Sequence, residues 1–265
     1  MLTVISEGIH VLKEEGLVMF LKKASSYLLR RFLDLSGFGY VLAPFVSHKL
    51  KRLAKKTSDI QDAVALAFSF NYLGVSIKPS QIEYEIAKLL EIIRKTKPKV
   101  ILEIGTAKGG TLFLFAQIAG PDAIVISIDL PGGRFGGGHP KWMTPIFKSF
   151  FKENQELYLI RRDSHDPLTL NIVKSILADR LVDFLFIDGD HTYEGVKKDF
   201  EMYSPLVRRG GIIAFHDIVP HDRVHDPHGA VGVPRFWNEI KHSYKYLEIV
   251  KDWNQGWAGI GVLYV

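Results

Sequence analysis

No cysteine occurs in the 265 residues, which excludes disulfides, thiolate zinc sites and a cysteine nucleophile and leaves any metal to oxygen or imidazole donors. Long apolar runs are missing too. No uninterrupted stretch approaches the roughly 20 residues that a membrane-spanning helix needs, and the first residues lack the basic, apolar, small-residue order of a signal peptide. A cytoplasmic protein is therefore expected. Outside the opening segment there is no excess of charge of either sign: residues 1–60 carry ten Lys/Arg against five Asp/Glu, and the remainder carries 24 of each. The larger part of the chain thus has no basic character for nucleic acid, and no nucleic-acid partner is expected.

What is present suffices for a real core. Hydrophobic residues make up 47% and charged residues 24%, the balance of a folded globular protein. The length suits one sizeable α/β domain with a smaller appendage. From Leu17 to Leu35 apolar residues recur at three- and four-residue steps, predicting an amphipathic helix that Gly37 and Gly39 end. After Pro44 a second short stretch interleaves Phe45, Val46, Leu50 and Leu53 with Lys49, Lys51, Arg52, Lys55 and Lys56. That pattern suits either a helical cap with a solvated basic face or peripheral contact of residues 1–60 with an anionic membrane or a protein partner. Ser58 with Gln61, and Ser80 with Glu83, read as capping boxes that start two further helices.

From Lys99 the pattern changes. Short apolar runs at Val100–Ile104, Ala123–Ile128, Leu157–Arg161, Val182–Ile187 and Gly211–Phe215 alternate with helical stretches, and parallel strands need such crossovers. Tyr246–Val250 and Ala258–Val265 predict an antiparallel pair closing the sheet. The chain divides on this reading into an N-terminal helical segment, 1–78, and an α/β domain, 79–265.

The first strand runs into Glu103-Ile104-Gly105-Thr106-Ala107-Lys108-Gly109-Gly110-Thr111, a glycine-rich turn opening a helix, where an open parallel sheet binds nucleotide-like ligands. Asp129 ends the second strand, 24 residues after Gly105, where a carboxylate can accept both hydroxyl protons of a ribose. The G-x-G-x-x-G fingerprint of dinucleotide sites is absent. Glu103, just before the turn, would repel a phosphate and suits an ammonium or sulfonium ligand instead.

The E-x-G-x-x-x-G-G turn, the acidic end of the second strand and Phe186-Ile187-Asp188-Gly189-Asp190-His191 together resemble the class I S-adenosylmethionine-dependent methyltransferases. More narrowly, the likeness is to the branch containing cephalosporin-hydroxylase-like proteins and macrolide-sugar O-methyltransferases, over roughly Gln81 to Val265. The resemblance implies a Rossmann-like, doubly wound, seven-stranded sheet with an antiparallel last strand. It implies S-adenosylmethionine as cofactor, held by Glu103, Gly105, Thr106, Gly109, Gly110, Thr111 and Asp188, with Asp129 on the ribose and Asp163-Ser164 at the adenine.

Methyl transfer to a hydroxyl needs an aligned acceptor and removal of its proton. Asp188, Asp190 and His191 leave one strand while His216 and Asp217 leave the next, so all five could converge on one rim. By resemblance, Asp188, His216 and Asp217 are metal ligands for magnesium or manganese, and His191 is the general base. The imidazole of His216 departs from an all-oxygen set and disfavours magnesium. The polar loop 221–229 and the glycine-rich flap 131–139 are candidates to cover the acceptor, and Trp237 reads as core packing. The expected activity is metal-assisted O-methylation of a hydroxylated small molecule or sugar, and a homo-oligomer is compatible with it. Two rivals stand beside that reading: a non-catalytic S-adenosylmethionine-binding subunit docked through residues 1–60, and an iron oxygenase using Asp188, His191 and His216.

Overall fold

Two strands, β3 (Val100–Ile104) and β4 (Ile124–Ile128), are apolar at every position but Glu103 and Ser127 and are buried along their whole length, as central parallel strands must be when helices cover both faces. This computed structural model describes residues 16–133, 135 and 138–265. Residues 1–15 of the expected docking segment, and Arg134, Gly136 and Gly137 of the expected flap, lie outside the described residues.

A two-stranded hairpin, β1 (Asn71–Tyr72) with β2 (Val75–Ser76), stands apart from the main sheet. The main sheet adds β5 (Glu156–Ile160), β6 (Val182–Ile187), β7 (Val207–His216), β8 (Lys245–Ile249) and β9 (Ile260–Tyr264) in the order β5-β4-β3-β6-β7-β9-β8. Strand β9 runs antiparallel to both of its neighbours, and the pairs from β5 to β7 are parallel. This is the doubly wound, Rossmann-like sheet of the expectation. The strand order reverses between β3 and β4 on one side and β6 on the other, and such switch points are where ligands bind.

The helices are α1 (Gly16–Ser36), α2 (Phe38–Ala54), α3 (Ile60–Ser69), α4 (Glu83–Thr96), α5 (Gly110–Ile118), α6 (Thr144–Lys148), α7 (Pro167–Leu177), α8 (Tyr193–Tyr203) and α9 (Val233–Ile240). One apolar cluster joins Val173, Val196, Phe236 and Trp237 to one sheet face. The other joins Leu33, Val46, Leu50 and Val64 of the N-terminal helices to Leu89 and Phe113, and through them to Ile101, Val125 and Phe184 on the opposite face. Trp237 is fully buried, as its reading as core requires.

Four local expectations are corrected. Gly37 does break the first helix, in a left-handed conformation, but Gly39 lies inside α2. A Cβ there would meet the Trp142 indole at 2.5 Å, so this glycine serves close packing. Pro44 also lies within α2 and not before it; Tyr40 and Pro44 are exposed, so water can serve the carbonyl that proline leaves unbonded. The capping box at Ser58 is displaced by one residue: Asp59 accepts from the Asp62 amide at 2.9 Å and Asp62 reaches back to the Ser58 amide at 2.9 Å. No side chain caps α4, so Ser80 does not start it. The neighbouring Gln81 is committed elsewhere, to Asp188.

Candidate active site

The ends of β3, β4, β6 and β7 meet at one rim. Backbone bonds lock them in step: the Gly105 amide donates to Ile128, the Asp129 amide to Ile160 and the Asp188 amide to Ile104, at 2.8, 2.9 and 2.8 Å. Gly105 has φ 98°, and a Cβ there would run into the Asp188 carbonyl. Only glycine lets the first turn lie against the end of β6.

The candidate cofactor residues fall into two layers. Glu103 is wholly buried and turns inward, accepting from Thr111 Oγ1 at 2.5 Å and Ser127 Oγ at 2.6 Å. Thr106 extends this chain by a short hydrogen bond to Ser127. Burial pushes the Glu103 carboxyl up to about 8 despite the hydroxyls of Ser127 and Thr111, and the charges of Asp129 and Asp188 add to the rise. Glu103, Thr106 and Thr111 thus form a buried brace under the turn. Ala107 and Lys108 are its exposed tip.

Asp129 faces the turn. Its Oδ2 accepts from the Ala107 amide at 3.1 Å and its Oδ1 from the Gly138 amide at 3.0 Å. Two backbone donors leave part of a carboxylate's acceptor capacity open. The Gly138 contact comes from the flap, whose Phe135 ring stacks on the His191 ring with centroids 4.8 Å apart. Described residues of the flap therefore cover the rim. Asp163 is set apart: it is exposed and accepts from the His165 amide in its own loop at 2.8 Å. Ser164 gives its carbonyl to the Tyr203 hydroxyl at 2.7 Å.

Asp188, His191, His216 and Asp217 do converge. His191 Nδ1 lies 2.5 Å from Asp217 Oδ2, and His191 Nε2 lies 3.7 Å from Asp188 Oδ1. His216 Nδ1 lies 3.0 Å from Asp188 Oδ1 and 3.2 Å from Asp217 Oδ1. These contacts hold the residues close, but the His216 nitrogens and Asp188 Oδ1 make no well-directed hydrogen bond. One atom each from Asp188, His191 and Asp217 falls within a 4.8 Å span that suits a metal ion. Asp190, the fifth expected member, is absent from the cluster: its Oδ1 accepts from the Thr192 amide, and its side chain packs on Gly195.

Two members were not foreseen. Gln81 Nε2 donates to Asp188 Oδ2 at 2.7 Å, and His221 Nε2 lies 3.1 Å from Asp217 Oδ1. His221 was noticed only as part of a polar loop. Asp217 itself is left-handed, φ 65°, a conformation that an Asp tolerates better than most residues, and the Ala258 amide donates to its Oδ1 at 3.2 Å.

Charge follows from this packing. Burial opposes ionisation of Asp217, but His216, His191 and His221 around it hold its carboxyl well below the usual range. Burial likewise opposes protonation of His216, yet Asp217 and Asp188 raise its imidazole well above the usual value. His191 is raised for the same reason: the hydrogen bond and charge of Asp217 outweigh burial.

A solved structure of a candidate caffeoyl-CoA O-methyltransferase from Staphylococcus aureus shares the fold, with a TM-score of 0.51 and 22% identity over 82% of this chain and 98% of that one. A family model described as a methyltransferase domain matches residues 102–218. Over these residues the chain is similar to methyltransferase domains. The matched region takes in Glu103, Gly105, Asp129, Asp188, His191, His216 and Asp217, and it stops short of His221. An uncharacterized protein of Acanthamoeba polyphaga mimivirus is 31% identical over 122 residues, 44% of this chain and 50% of that protein. A caffeoyl-CoA O-methyltransferase candidate of Dictyostelium discoideum is 45% identical over 49 residues, 18% of this chain and 20% of its own length. The chain thus spans half or less of the length of these curated relatives.

Proposed function

We propose that the chain is an S-adenosylmethionine-dependent O-methyltransferase acting on a hydroxyl of a small molecule or sugar, with metal assistance at Asp188, His216 and Asp217. The carrying observation is the convergence of Asp188, His191, His216 and Asp217 on the rim that also presents the glycine turn and Asp129.

The residues fit an S-adenosylmethionine site: the turn at Gly105 approaches closely, Asp129 keeps acceptor capacity for ribose hydroxyls, and no diphosphate fingerprint is present. When bound, the cofactor supplies an electrophilic methyl group. Asp163 and Ser164, on the neighbouring strand end, are the adenine-side residues of this proposal. Glu103, Thr106 and Thr111 support the turn from beneath, and Gly109 and Gly110 open its helix. The Phe135 contact with His191 and the Gly138 contact with Asp129 open to admit ligands.

In this reading Asp217 orients His191 through Nδ1, leaving Nε2 to take the acceptor's proton. A divalent cation also fits, because Asp188 Oδ1 and the His216 nitrogens are buried donors without directed partners. Two carboxylates with imidazole suit manganese better than magnesium. Such an ion would lower the acceptor's hydroxyl pKa.

The test is calorimetric titration with S-adenosylmethionine, followed by turnover on a panel of hydroxylated acceptors with and without chelator. Absence of cofactor binding rejects the reading. Turnover that chelator leaves intact rejects its metal part alone. The rival of a non-catalytic binding subunit would give cofactor binding without turnover, and it leaves the His191–Asp217 pair without a use.

A further inference from the structure

The exposed face of α2 changes character along its length. Phe38, Val41, Phe45, His48, Arg52 and Lys55 follow one another at three- and four-residue steps and so lie in one stripe along α2 and the turn after it. The first half of the stripe is apolar: Phe38, Val41 and Phe45 are 46, 56 and 60% exposed. Phe32 and Leu35 of α1 extend this patch at 55 and 76%, and the Phe32 and Phe38 rings lie 6.3 Å apart. Contiguous large apolar residues in water mark an interaction site.

The second half is cationic. Pro44, Phe45, His48, Lys49, Arg52 and Tyr72 line a pocket of about 440 Å³, with Lys49 Nζ 5.7 Å from the Tyr72 ring centroid. Among the described residues no carboxylate forms an ion pair with Lys49, Lys51, Arg52, Lys55 or Lys56. The nearby acids are engaged: Asp34 accepts from the Trp142 indole at 2.8 Å, and Asp59 caps α3. The chain's whole net charge of +5 resides in residues 1–60.

We propose that this face docks on a membrane of anionic phospholipid, with Phe38, Val41 and Phe45 entering the acyl boundary and the pocket of His48, Lys49 and Arg52 taking a lipid phosphate. Apolar side chains followed by cations on one helix face match the depth profile of a leaflet, where aliphatic stems lie against the apolar region and charged heads reach the phosphates. A second copy of the chain is a poorer occupant. It would bring the same uncompensated cations and few free acids to this face.

The test is sedimentation of the full chain with vesicles of phosphatidylcholine, alone or mixed with phosphatidylglycerol. Binding is expected to the mixed vesicles only and to weaken with salt. Lys49→Gln with Arg52→Gln should weaken it roughly 25-fold, at ~1 kcal/mol per cation. Phe38→Ser with Phe45→Ser should abolish the part that survives in salt. All four positions are on the surface or at the pocket, so melting curves should match the parent's and show that folding is intact. Equal sedimentation with both vesicle types, or with none, overturns the proposal. So does glycerol phosphate raising the melting temperature without vesicle binding, which marks a small-anion pocket. A dimer seen by light scattering, broken by the Phe variants and indifferent to vesicles, assigns the face to a second copy. No arm uses S-adenosylmethionine, so failure here leaves the methyltransferase reading standing.

Discussion

His191 Nδ1 and Asp217 Oδ2 lie 2.5 Å apart, and Asp217 is buried at the end of β7 while His191 sits four residues past the end of β6. The bond joins adjacent parallel strand ends, so the sheet itself sets the imidazole's orientation. Asp217→Asn should keep the shape and lose the tautomer that frees Nε2. Turnover is expected to fall by roughly 10²–10⁴, with S-adenosylmethionine affinity changed little. The pH–rate profile distinguishes this from a folding defect, because its acid limb, set by the His191 imidazole that must be neutral to accept a proton, should move to lower pH once Asp217 no longer raises it. A variant with parental turnover would remove His191 from the mechanism.

The second prediction concerns Asp129. Its oxygens hold the Ala107 and Gly138 amides, so the same carboxylate organises the turn, anchors the flap and faces the proposed ribose. Loss of hydrogen bonds to a charged group costs about 1.5–3 kcal/mol, so Asp129→Ala should weaken cofactor binding at least tenfold in calorimetry. Asp163→Ala, at an exposed residue bonded within its own loop, should have a smaller effect. The reverse ranking would shift the ribose contact away from β4.

The fold was legible where local and global signals agree. The runs 100–104, 124–128 and 182–187 are apolar but for Glu103, Ser127 and Asp183, as central parallel strands require, and the tail pair is separated by turn residues. The site was legible as strand ends, because a parallel sheet brings its carboxyl ends to one rim. What stayed hidden depends on pairing across the chain. Gln81 meets Asp188 across 107 positions, and no local pattern announces it. Glu103 looked like a ligand-facing acid because its partners Thr111 and Ser127 lie on α5 and β4. Ser58 and Asp59 are both competent caps, so the helix start slid by one residue. Gly39 looked like a breaker because the Trp142 ring that needs its bare Cα is far along the chain.

Glu103 gives a pH prediction with a definite sign. Its carboxyl titrates near 4.5 when free and at about 8 in the fold. The folded state keeps a proton that the unfolded chain releases, so stability is fully present below about 4.5, falls as pH rises toward about 8 and levels off above it. Glu103→Gln mimics the protonated acid, and Ser127 can turn its own proton toward Thr106. The variant should melt a few degrees above the parent at pH 8, a gain on the order of 1 kcal/mol, and show no advantage at acid pH. Thermal melts across this range decide it. A variant destabilised equally at both ends would mean that the carboxylate is ionised in the fold.

The last prediction follows from His216. Asp188 and Asp217 hold its imidazole protonated well above the usual range, whereas a nitrogen that ligates a metal must be neutral. Loading the proposed site with manganese therefore has to expel a proton, so metal affinity should rise with pH across the neutral region. Calorimetry in buffers of different ionisation enthalpy counts the protons released, and the expected count approaches one at pH 7. His216→Asn keeps a donor without the titrating proton, and should abolish both the release and the pH dependence while retaining some affinity. Proton release and pH dependence that survive in His216→Asn would instead leave His216 outside the ligand set, and would favour the alternative grouping of Asp188, His191 and Asp217, whose imidazole is raised too. In that case His191 could not also serve as base, and the Asp217→Asn profile above would lose its shifted limb.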